Sequence, residues 1–222
     1  MKYEAIVIDY GHGAETPGKR YRFTDYGNFE CREYITNRIT AALLIEKLLR
    51  AGHRVFDCVA KREWTMADID ASWSWGRLEQ RDIALASRVM YANSIPHSFV
   101  LSLHSNAVGY KNVGPSLTAR GGSMYTSPGQ TKSDEIAEIL HMTFTDAFQD
   151  EPVFMLKGQM QDGDHDYEAR FTMLTKTKAP AVLGEMLFFV NIHDARYLMS
   201  RTGQEVIAQA YYDGVSAFLE GK

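Results

Sequence analysis

Short apolar runs alternate with longer segments of helical periodicity along this sequence. The runs at residues 5–8, 98–103 and 181–185, the last ending in an acid, are too short for helices, and such continuous runs are typical of strands buried on both faces of a parallel sheet. Apolar side chains recur at helical spacing around them, at residues 30–51, 78–93 and 133–148. Because strands that alternate with helices form βαβ units, the sequence predicts one α/β domain over residues 1–222.

Composition and charge exclude several classes of protein. Of the 222 residues, 45% are hydrophobic and 23% are charged, which are the values of an ordinary globular chain rather than a disordered one. A chain of this length can bury its own core, so we expect a monomer. The 24 basic and 28 acidic side chains give a net charge of −4, which argues against nucleic acid as a partner because phosphate binding needs a basic surface.

The N-terminal residues and the two cysteines bear on where the protein acts. Residues 1–8 fit a strand rather than a signal peptide, and no stretch approaches the ~20 apolar residues that cross a membrane. We therefore expect a protein made in the cytoplasm with no membrane partner, although a chain trimmed of its signal would have the same sequence. Cys31 and Cys58 are too few for a disulfide framework or a four-cysteine zinc site.

Three of the predicted strands lead to a side chain that can bind a metal ion or move a proton. The strand at residues 5–8 leads to His12, the strand at 98–103 runs into His104, and the strand that begins at residue 181 ends at Glu185. Because the carboxyl ends of parallel strands meet at one edge of a sheet, we expect these side chains to share a cleft. Glu33, in the first turn of the first long helix, is a fourth candidate. Two imidazoles and one carboxylate form a zinc set of the catalytic type, with a position left for water.

Each of these residues also has a simpler explanation. A histidine after a strand is often a hydrogen-bonded loop residue, and Glu33 in a first helical turn interacts favourably with the helix dipole. Glu185 is harder to explain in this way, because a carboxylate in apolar surroundings costs several kcal/mol unless it is paired or functional. The long separations do not match the HExxH motif, so spacing alone does not identify the site.

Four segments resemble motifs of the zinc-dependent N-acetylmuramoyl-L-alanine amidases, in the order in which that family has them. Residues 6–13, IVIDYGHG, resemble the opening strand and DPGHG turn. Glu33 is followed four residues later by Asn37, as is the family's acidic residue. Residues 100–107, VLSLHSNA, resemble the ISIHANA strand, and residues 179–188, APAVLGEMLF, resemble the PAVLVE-x-x-F segment. These motifs together span nearly the whole chain.

The resemblance implies both a fold and a chemistry. The fold would be a twisted, mostly parallel sheet flanked by helices on both faces. One Zn²⁺ ion would be held by His12, Glu33 and His104, with Glu185 as the catalytic acid and base. The substrate would be peptidoglycan, in which the enzyme hydrolyses the amide between N-acetylmuramic acid and L-alanine. Such cell-wall lysis without a signal peptide fits a phage endolysin.

The chain departs from the family pattern in the first turn. Tyr10 stands where the family usually has proline, and Ala14 stands where it usually has a second glycine. Neither position supplies a ligand, so we expect these departures to alter the shape of the loop rather than metal binding. Leu78 and Arg81 fit the family's LxxR motif before the second helix.

Several local alternatives remain open at this level. Glu30 competes with Glu33 as the acidic ligand, although the spacing to Asn37 favours Glu33. Cys31 suits a different set of zinc ligands. Asp9 either orients a ligand imidazole or stabilises the turn. His165, in a polar segment at 157–166 that we predict to be a loop, either binds a stray cation or is solvated. Manganese or cobalt also fits the ligands proposed for zinc.

Aromatic side chains are candidates for the rim of the cleft. Trp64, Trp73 and Trp75 lie in one irregular segment, and their rings can cover sugar or peptide surface. The alternative is that these rings pack the loops onto the domain.

Two other functions are compatible with the sequence. Another zinc amidohydrolase or a carboxypeptidase on the same scaffold would act on a smaller amide or peptide. A non-catalytic cell-wall-binding module is expected to lack at least one of the four polar residues, and all four are present.

Overall fold

A seven-stranded sheet lies at the centre of the structure, a computed structural model that describes residues 3–108, 118–156, 158 and 163–221. The strands are β1 (Ala5–Tyr10), β2 (Arg20–Phe23), β3 (Phe29–Arg32), β4 (Arg54–Asp57), β5 (Arg62–Trp64), β6 (Ser98–Asn106), β7 (Ser123–Thr126), β8 (Tyr167–Glu168) and β9 (Ala181–Phe188). The helices are α1 (Glu33–Arg50), α2 (Leu85–Ala92), α3 (Lys132–Ala147), α4 (Thr172–Thr175), α5 (Ile192–Met199) and α6 (Arg201–Glu220).

The strand order of the sheet is β5-β4-β1-β6-β9-β7-β8, with β2 and β3 in a separate hairpin. At its centre, β4, β1, β6 and β9 pair parallel to one another, whereas β5 and β7 pair antiparallel with their inner neighbours. In this register Tyr10 lies beside Leu103, and His104 lies beside Glu185. The carboxyl ends of β1, β6 and β9 are therefore neighbours at one edge, and the predicted mostly parallel α/β sheet is confirmed.

Helices cover both faces of this sheet, as the resemblance implied. α1, α3 and α6 pack together on one face, where the Tyr211 hydroxyl of α6 approaches Gly184. Consecutive strand residues point to opposite faces, so Leu183 and Glu185 face the other side. There they share a cavity with Met173 of α4, and α4 packs against α2.

The hydrophobic core lies between the sheet and these helices. All six residues of β1 are buried, as are the first six residues of β6. Each fully buried Val, Leu or Ile side chain contributes about 1.5–3 kcal/mol relative to an exposed one. The apolar runs are therefore strands of the sheet interior, in agreement with the sequence. None of the helices in the described ranges has the length and apolar character needed to cross a lipid bilayer.

The second helix is shorter than the predicted residues 78–93, because it begins only at Leu85. Arg38 donates from Nε to the carbonyl oxygen of Glu79, and Arg88 donates from Nε to that of Ile83. These side chains bind backbone acceptors that a helix would use internally, so the segment before Leu85 stays irregular.

Other boundaries also differ from the sequence predictions. Residues 14–29 are rich in Gly, Pro, Tyr and charged side chains, a composition that predicts a loop, but they contain β2 and the start of β3. Phe23 stacks there on Phe29 with centroids 4.8 Å apart. β6 and β9 continue past their predicted ends, so His104 and Glu185 lie within strands. Half of the loop predicted at 157–166, residues 157 and 159–162, lies outside the described residues.

Candidate metal centre and active site

Two histidines and a glutamate meet where β1, β6 and α1 come together. His104 Nδ1 lies 3.1 Å from Glu33 Oε1, and His12 Nε2 lies 3.4 Å from the same oxygen. The two imidazole rings are edge to face, with centroids 5.1 Å apart. Ligands at about 2.1 Å from a tetrahedral zinc ion stand about 3.4 Å from one another, so these separations suit one ion. The structure thus brings together the three residues expected as ligands.

The turn after β1 directs His12 toward the other two residues. His12 has a φ of 64°, a left-handed conformation that costs energy for a residue with a side chain. Arg38 Nη2 donates a 2.8 Å hydrogen bond to the carbonyl oxygen of His12 and holds this conformation. A Cβ at Gly11 would lie 1.9 Å from Cε1 of His104. The close approach of that ring therefore requires glycine at position 11.

Asn37 connects the two histidine segments. It lies one helical turn after Glu33, on the same face of α1. Its Nδ2 donates to the carbonyl oxygen of Gly11 at 3.2 Å, and its Oδ1 accepts from Ser105 Oγ at 3.3 Å. Gly11 and Ser105 each adjoin one of the histidines, so a single buried amide positions both.

The electrostatics of Glu33 favour a bound cation. Its burial raises the pKa of the carboxyl, but hydrogen bonds from His104 and His12 lower that pKa well below its usual value. Glu33 Oε2 accepts no hydrogen bond from any described residue, although Lys19 Nζ lies 3.3 Å away. A buried carboxylate oxygen without a hydrogen bond is costly unless another positive group occupies its lone pairs. The other oxygen, Oε1, lies beside both imidazoles, so the carboxylate and the two rings together fit a divalent cation.

Glu185 lies next to this group, paired with His104 in the β6–β9 ladder. Its Oε2 is buried and has no hydrogen-bond partner within the described part of the chain. Burial raises the pKa of Glu185 to about 7, and the charge of His104 opposes that rise. A carboxyl group that titrates near neutrality can both accept and donate a proton at physiological pH.

The two alternative ligands do not join the group. Glu30 pairs with Arg32 and Arg22 in the hairpin. Cys31 is buried, but its sulfur is not among the ligand atoms that converge in the described residues. Glu33 is therefore the acidic residue that lies with the histidines.

Asp9 contacts neither histidine by a hydrogen bond in the described structure. Its Oδ2 accepts from Ser102, and its Oδ1 accepts from Arg88 at 3.2 Å. Of the two roles left open by the sequence, the geometry favours a structural one, in which Asp9 fixes Arg88 beside the carbonyl oxygen of Tyr10.

Arg88 is a site residue that the sequence reasoning missed. Arg81, taken as the arginine of the LxxR motif, is exposed and pairs with Glu79. Leu85 and Arg88 have the same spacing, and Arg88 is buried at the wall of the cleft. Two LxxR matches seven residues apart were thus present in the sequence, and only the second leads to the site.

His165 does not extend the metal centre. Its Nδ1 lies 2.8 Å from Glu138 Oε1, and its ring stacks on His141 with centroids 4.5 Å apart. The ligand atoms that cluster nearby belong to three acidic residues, Asp134, Asp164 and Asp166.

The tryptophans lie in positions that favour packing over substrate contact. Trp64 is 3% exposed and donates from Nε1 to Asp57 Oδ2 at 3.1 Å. Trp73 contacts Trp64 edge to face and donates from Nε1 to the carbonyl oxygen of Ala42 in α1. Trp75 is half-buried against the core. β5, which carries Trp64, is separated from β6 by two strands.

A cleft of about 550 Å³ opens over the candidate metal centre. His12, His104 and Glu185 lie in its wall together with Lys19, and Arg170 and Phe171 line it as well. The cleft is therefore large enough to bring a substrate group to both the ligands and the unbound carboxyl group.

The sequence model of the family described as N-acetylmuramoyl-L-alanine amidase matches residues 6–217. The chain belongs to this amidase family. Its activity is accordingly that of an N-acetylmuramoyl-L-alanine amidase, an enzyme acting on peptidoglycan. No curated protein matches the amidase at a significant level.

Solved structures share the fold of this amidase. The catalytic domain of CwlV, an N-acetylmuramoyl-L-alanine amidase from Bacillus (Paenibacillus) polymyxa var. colistinus, is 23% identical with a TM-score of 0.68, and 100% of both chains is covered. The N-acetylmuramoyl-L-alanine amidase of Clostridium difficile 630 is 21% identical with a TM-score of 0.70, again with 100% of both chains covered. The catalytic domain of an endolysin that targets Clostridia difficile is 20% identical with a TM-score of 0.62, covering 96% of the amidase and 97% of that chain.

Proposed function

We propose that this amidase uses one zinc ion, held by His12, Glu33 and His104, to cleave the amide between N-acetylmuramic acid and L-alanine. Glu185 is the catalytic acid and base, and residues 1–222 act as a single catalytic domain and as a monomer. The observation that carries the proposal is the convergence of the three ligand atoms beside a buried, unbonded Glu185 carboxyl oxygen.

The donor set suits zinc. Two imidazole nitrogens and one carboxylate oxygen are ligands of catalytic zinc sites, and Glu33 Oε1 lies 3.1 Å from His104 Nδ1 and 3.4 Å from His12 Nε2. A bound zinc ion would polarise the substrate carbonyl and lower the pKa of water to about 7. The protein must then supply the groups that orient the substrate and transfer protons.

Glu185 supplies the proton transfers. Amide hydrolysis is slow because water is a weak nucleophile and an amine nitrogen is a poor leaving group. The Glu185 carboxylate accepts a proton from the attacking water, and the resulting acid donates it to the departing nitrogen of L-alanine. Its pKa, raised by burial to about 7, suits both transfers because neither protonation state is strongly disfavoured near neutral pH.

We also propose a role in cell-wall lysis of the endolysin type. It is supported by the fold that the amidase shares with an endolysin catalytic domain. The test is to add the purified protein to a suspension of purified cell walls and to measure turbidity. We expect the turbidity to fall as the walls are lysed.

A mass-spectrometric digest of purified peptidoglycan tests the proposed reaction. We expect the protein to release stem peptides that begin with free L-alanine and to leave peptide-free muramoyl glycan. Glu185→Gln should abolish this release, and Glu30→Ala, a change of an acidic residue outside the ligand group, should preserve it. Amino acids released from the carboxyl end of the stem would indicate a carboxypeptidase instead, and binding without cleavage would indicate a wall-binding module.

A further inference from the structure

The cleft contains a cation whose charge no described residue neutralises. Lys19 lies 3.3 Å from Glu33, and Arg88 pairs with Asp9 and Asp82. Arg170 lines the same cleft as His104 and Glu185, yet it is exposed and makes no hydrogen bond or ion pair with the described residues. Its guanidinium is therefore available to an anion that enters the cleft.

Packing against β7 fixes the backbone that carries Arg170. The amide of Ala169 donates to the carbonyl oxygen of Thr126 at 2.9 Å. Phe171 is 41% exposed, and its ring lies 5.5 Å from that of Tyr125, which stacks on Tyr167. The exposed Phe171 ring therefore packs against Tyr125, a side chain of β7 that is itself stacked on Tyr167 of β8.

β7, which carries Tyr125, also places Arg170 and Phe171 on the side of the sheet that holds the Glu185 carboxyl group. In the antiparallel β7–β9 pair, Ser123 lies opposite Glu185 and Tyr125 lies opposite Leu183. Residues directly opposite each other in a sheet share a face, so Tyr125 and Glu185 are on the same side of the sheet. Arg170 and Phe171 therefore form one wall of the cleft within reach of a substrate held at Glu185.

We propose that Arg170 binds the free α-carboxylate of the stem residue that follows L-alanine, with Phe171 in contact with the adjoining stem atoms. This inference rests on the proposed function. In the uncleaved substrate, the lactyl carboxyl group of the muramic acid is part of the amide, so the glycan side offers hydroxyl and acetamido groups but no anion. The stem carries free carboxylates, and guanidinium is the side-chain group that binds carboxylates with two parallel hydrogen bonds.

Two soluble substrates that differ in one group test the subsite. N-acetylmuramoyl-L-alanyl-D-glutamate carries a carboxylate next to the L-alanine, and N-acetylmuramoyl-L-alanyl-D-isoglutamine carries a carboxamide there. We expect kcat/KM to be roughly tenfold higher for the carboxylate, through a lower KM, because a charge-assisted hydrogen bond is lost with the amide. Arg170→Gln should remove this preference, and Arg170→Lys should retain part of it. Arg201→Gln, which alters an exposed arginine on α6, should leave it unchanged.

Calorimetric binding of both compounds to Glu185→Gln gives a readout that does not depend on turnover. Tighter binding of the carboxylate, lost in the double variant with Arg170→Gln, supports the subsite even if a different bond is cleaved. Equal cleavage and equal binding of the two compounds overturn the subsite while leaving the proposed amidase reaction intact. A preference that survives Arg170→Gln assigns recognition to another residue and also overturns it.

Discussion

Arg38 holds the turn that carries His12 against α1, although Arg38 is a buried cation. Its guanidinium donates hydrogen bonds to the carbonyl oxygens of His12, Tyr34 and Glu79 and lies 4.9 Å from the centre of the Tyr10 ring. Burial of a cation is costly unless its donors are satisfied, and these carbonyl groups satisfy them. Tyr10 stands where the family usually has proline. Its ring contacts the guanidinium of Arg38, the group that supports the turn.

Replacing Arg38 by methionine should destabilise the protein and weaken zinc binding. The substitution preserves most of the volume but leaves buried carbonyl oxygens without donors, so we expect a loss of about 3 kcal/mol in the free energy of unfolding. Urea denaturation measures this loss. Arg50→Met is the matched control on the same helix, because the one pair that Arg50 forms among the described residues is an exposed pair with Glu46, and it should cost less than about 1 kcal/mol. Equal losses in the two variants would contradict the role given to Arg38.

Zinc affinity should decrease as the pH falls, because His104 must lose its proton to bind metal. Burial lowers the pKa of His104, but the hydrogen bond with Glu33 and the charge of Glu185 raise it by more. Glu33 has a lowered pKa and stays ionised, so it does not compete with metal for protons. Affinity should be constant at high pH and, below the pKa of His104, fall by at least about tenfold for each pH unit, because every ligand proton that the metal displaces adds a factor of ten. Competition with a chelator between pH 5 and pH 9 would show this slope, and a flat profile would contradict it.

At the scale of whole elements, the close approach of β1 and β6 is what places the histidines together. Gly11→Ala should force the His104 ring away, since the added Cβ would lie 1.9 Å from Cε1. We expect zinc content to fall to well below one ion per chain, measured by elemental analysis. Gly76→Ala is the control, because within the described part of the chain its Cβ would meet only Ser74 Oγ, at 3.6 Å, and it should bind zinc normally. Full zinc occupancy in Gly11→Ala would contradict this account of the strand ends.

The segment between β5 and α2 packs onto α1 through its tryptophans. Trp73→Ala should remove the ring contact with Trp64 and the hydrogen bond to Ala42, so we expect a loss of about 2–4 kcal/mol in the free energy of unfolding. The KM for peptidoglycan should stay within about twofold, because a packing residue does not contribute to transition-state or substrate binding. An increase in KM at an unchanged melting temperature would restore the rim role.

At the scale of the whole molecule, the sequence predicted the parallel sheet and the meeting of His12, His104 and Glu185. This worked because apolar strands buried on both faces have few alternatives, and their carboxyl ends share an edge. Glu33 was placed by its spacing to Asn37, and the structure gives that spacing a physical role through the contacts of Asn37 with both histidine segments.

The start of α2 and the role of Asp9 could not be predicted, because they depend on long-range contacts that local sequence patterns do not encode. Residues 78–84 have helical periodicity, but Arg38 and Arg88 bind carbonyl oxygens there. Asp9 was a plausible partner for an imidazole until the fold brought Arg88 beside it from 79 residues away. In each case a buried arginine, whose partners cannot be read from sequence spacing, decided the outcome.

The central claim is that one divalent cation is held by two histidines and one glutamate while Glu185 remains unligated. Elemental analysis of the purified protein and its variants tests it most directly. We expect one zinc ion per chain in the unchanged protein, in Glu30→Ala and in Glu185→Gln, and none in His104→Ala or Glu33→Ala. Stoichiometric zinc that survives the loss of His104 or Glu33, or that disappears with Glu185→Gln, would contradict the assignment.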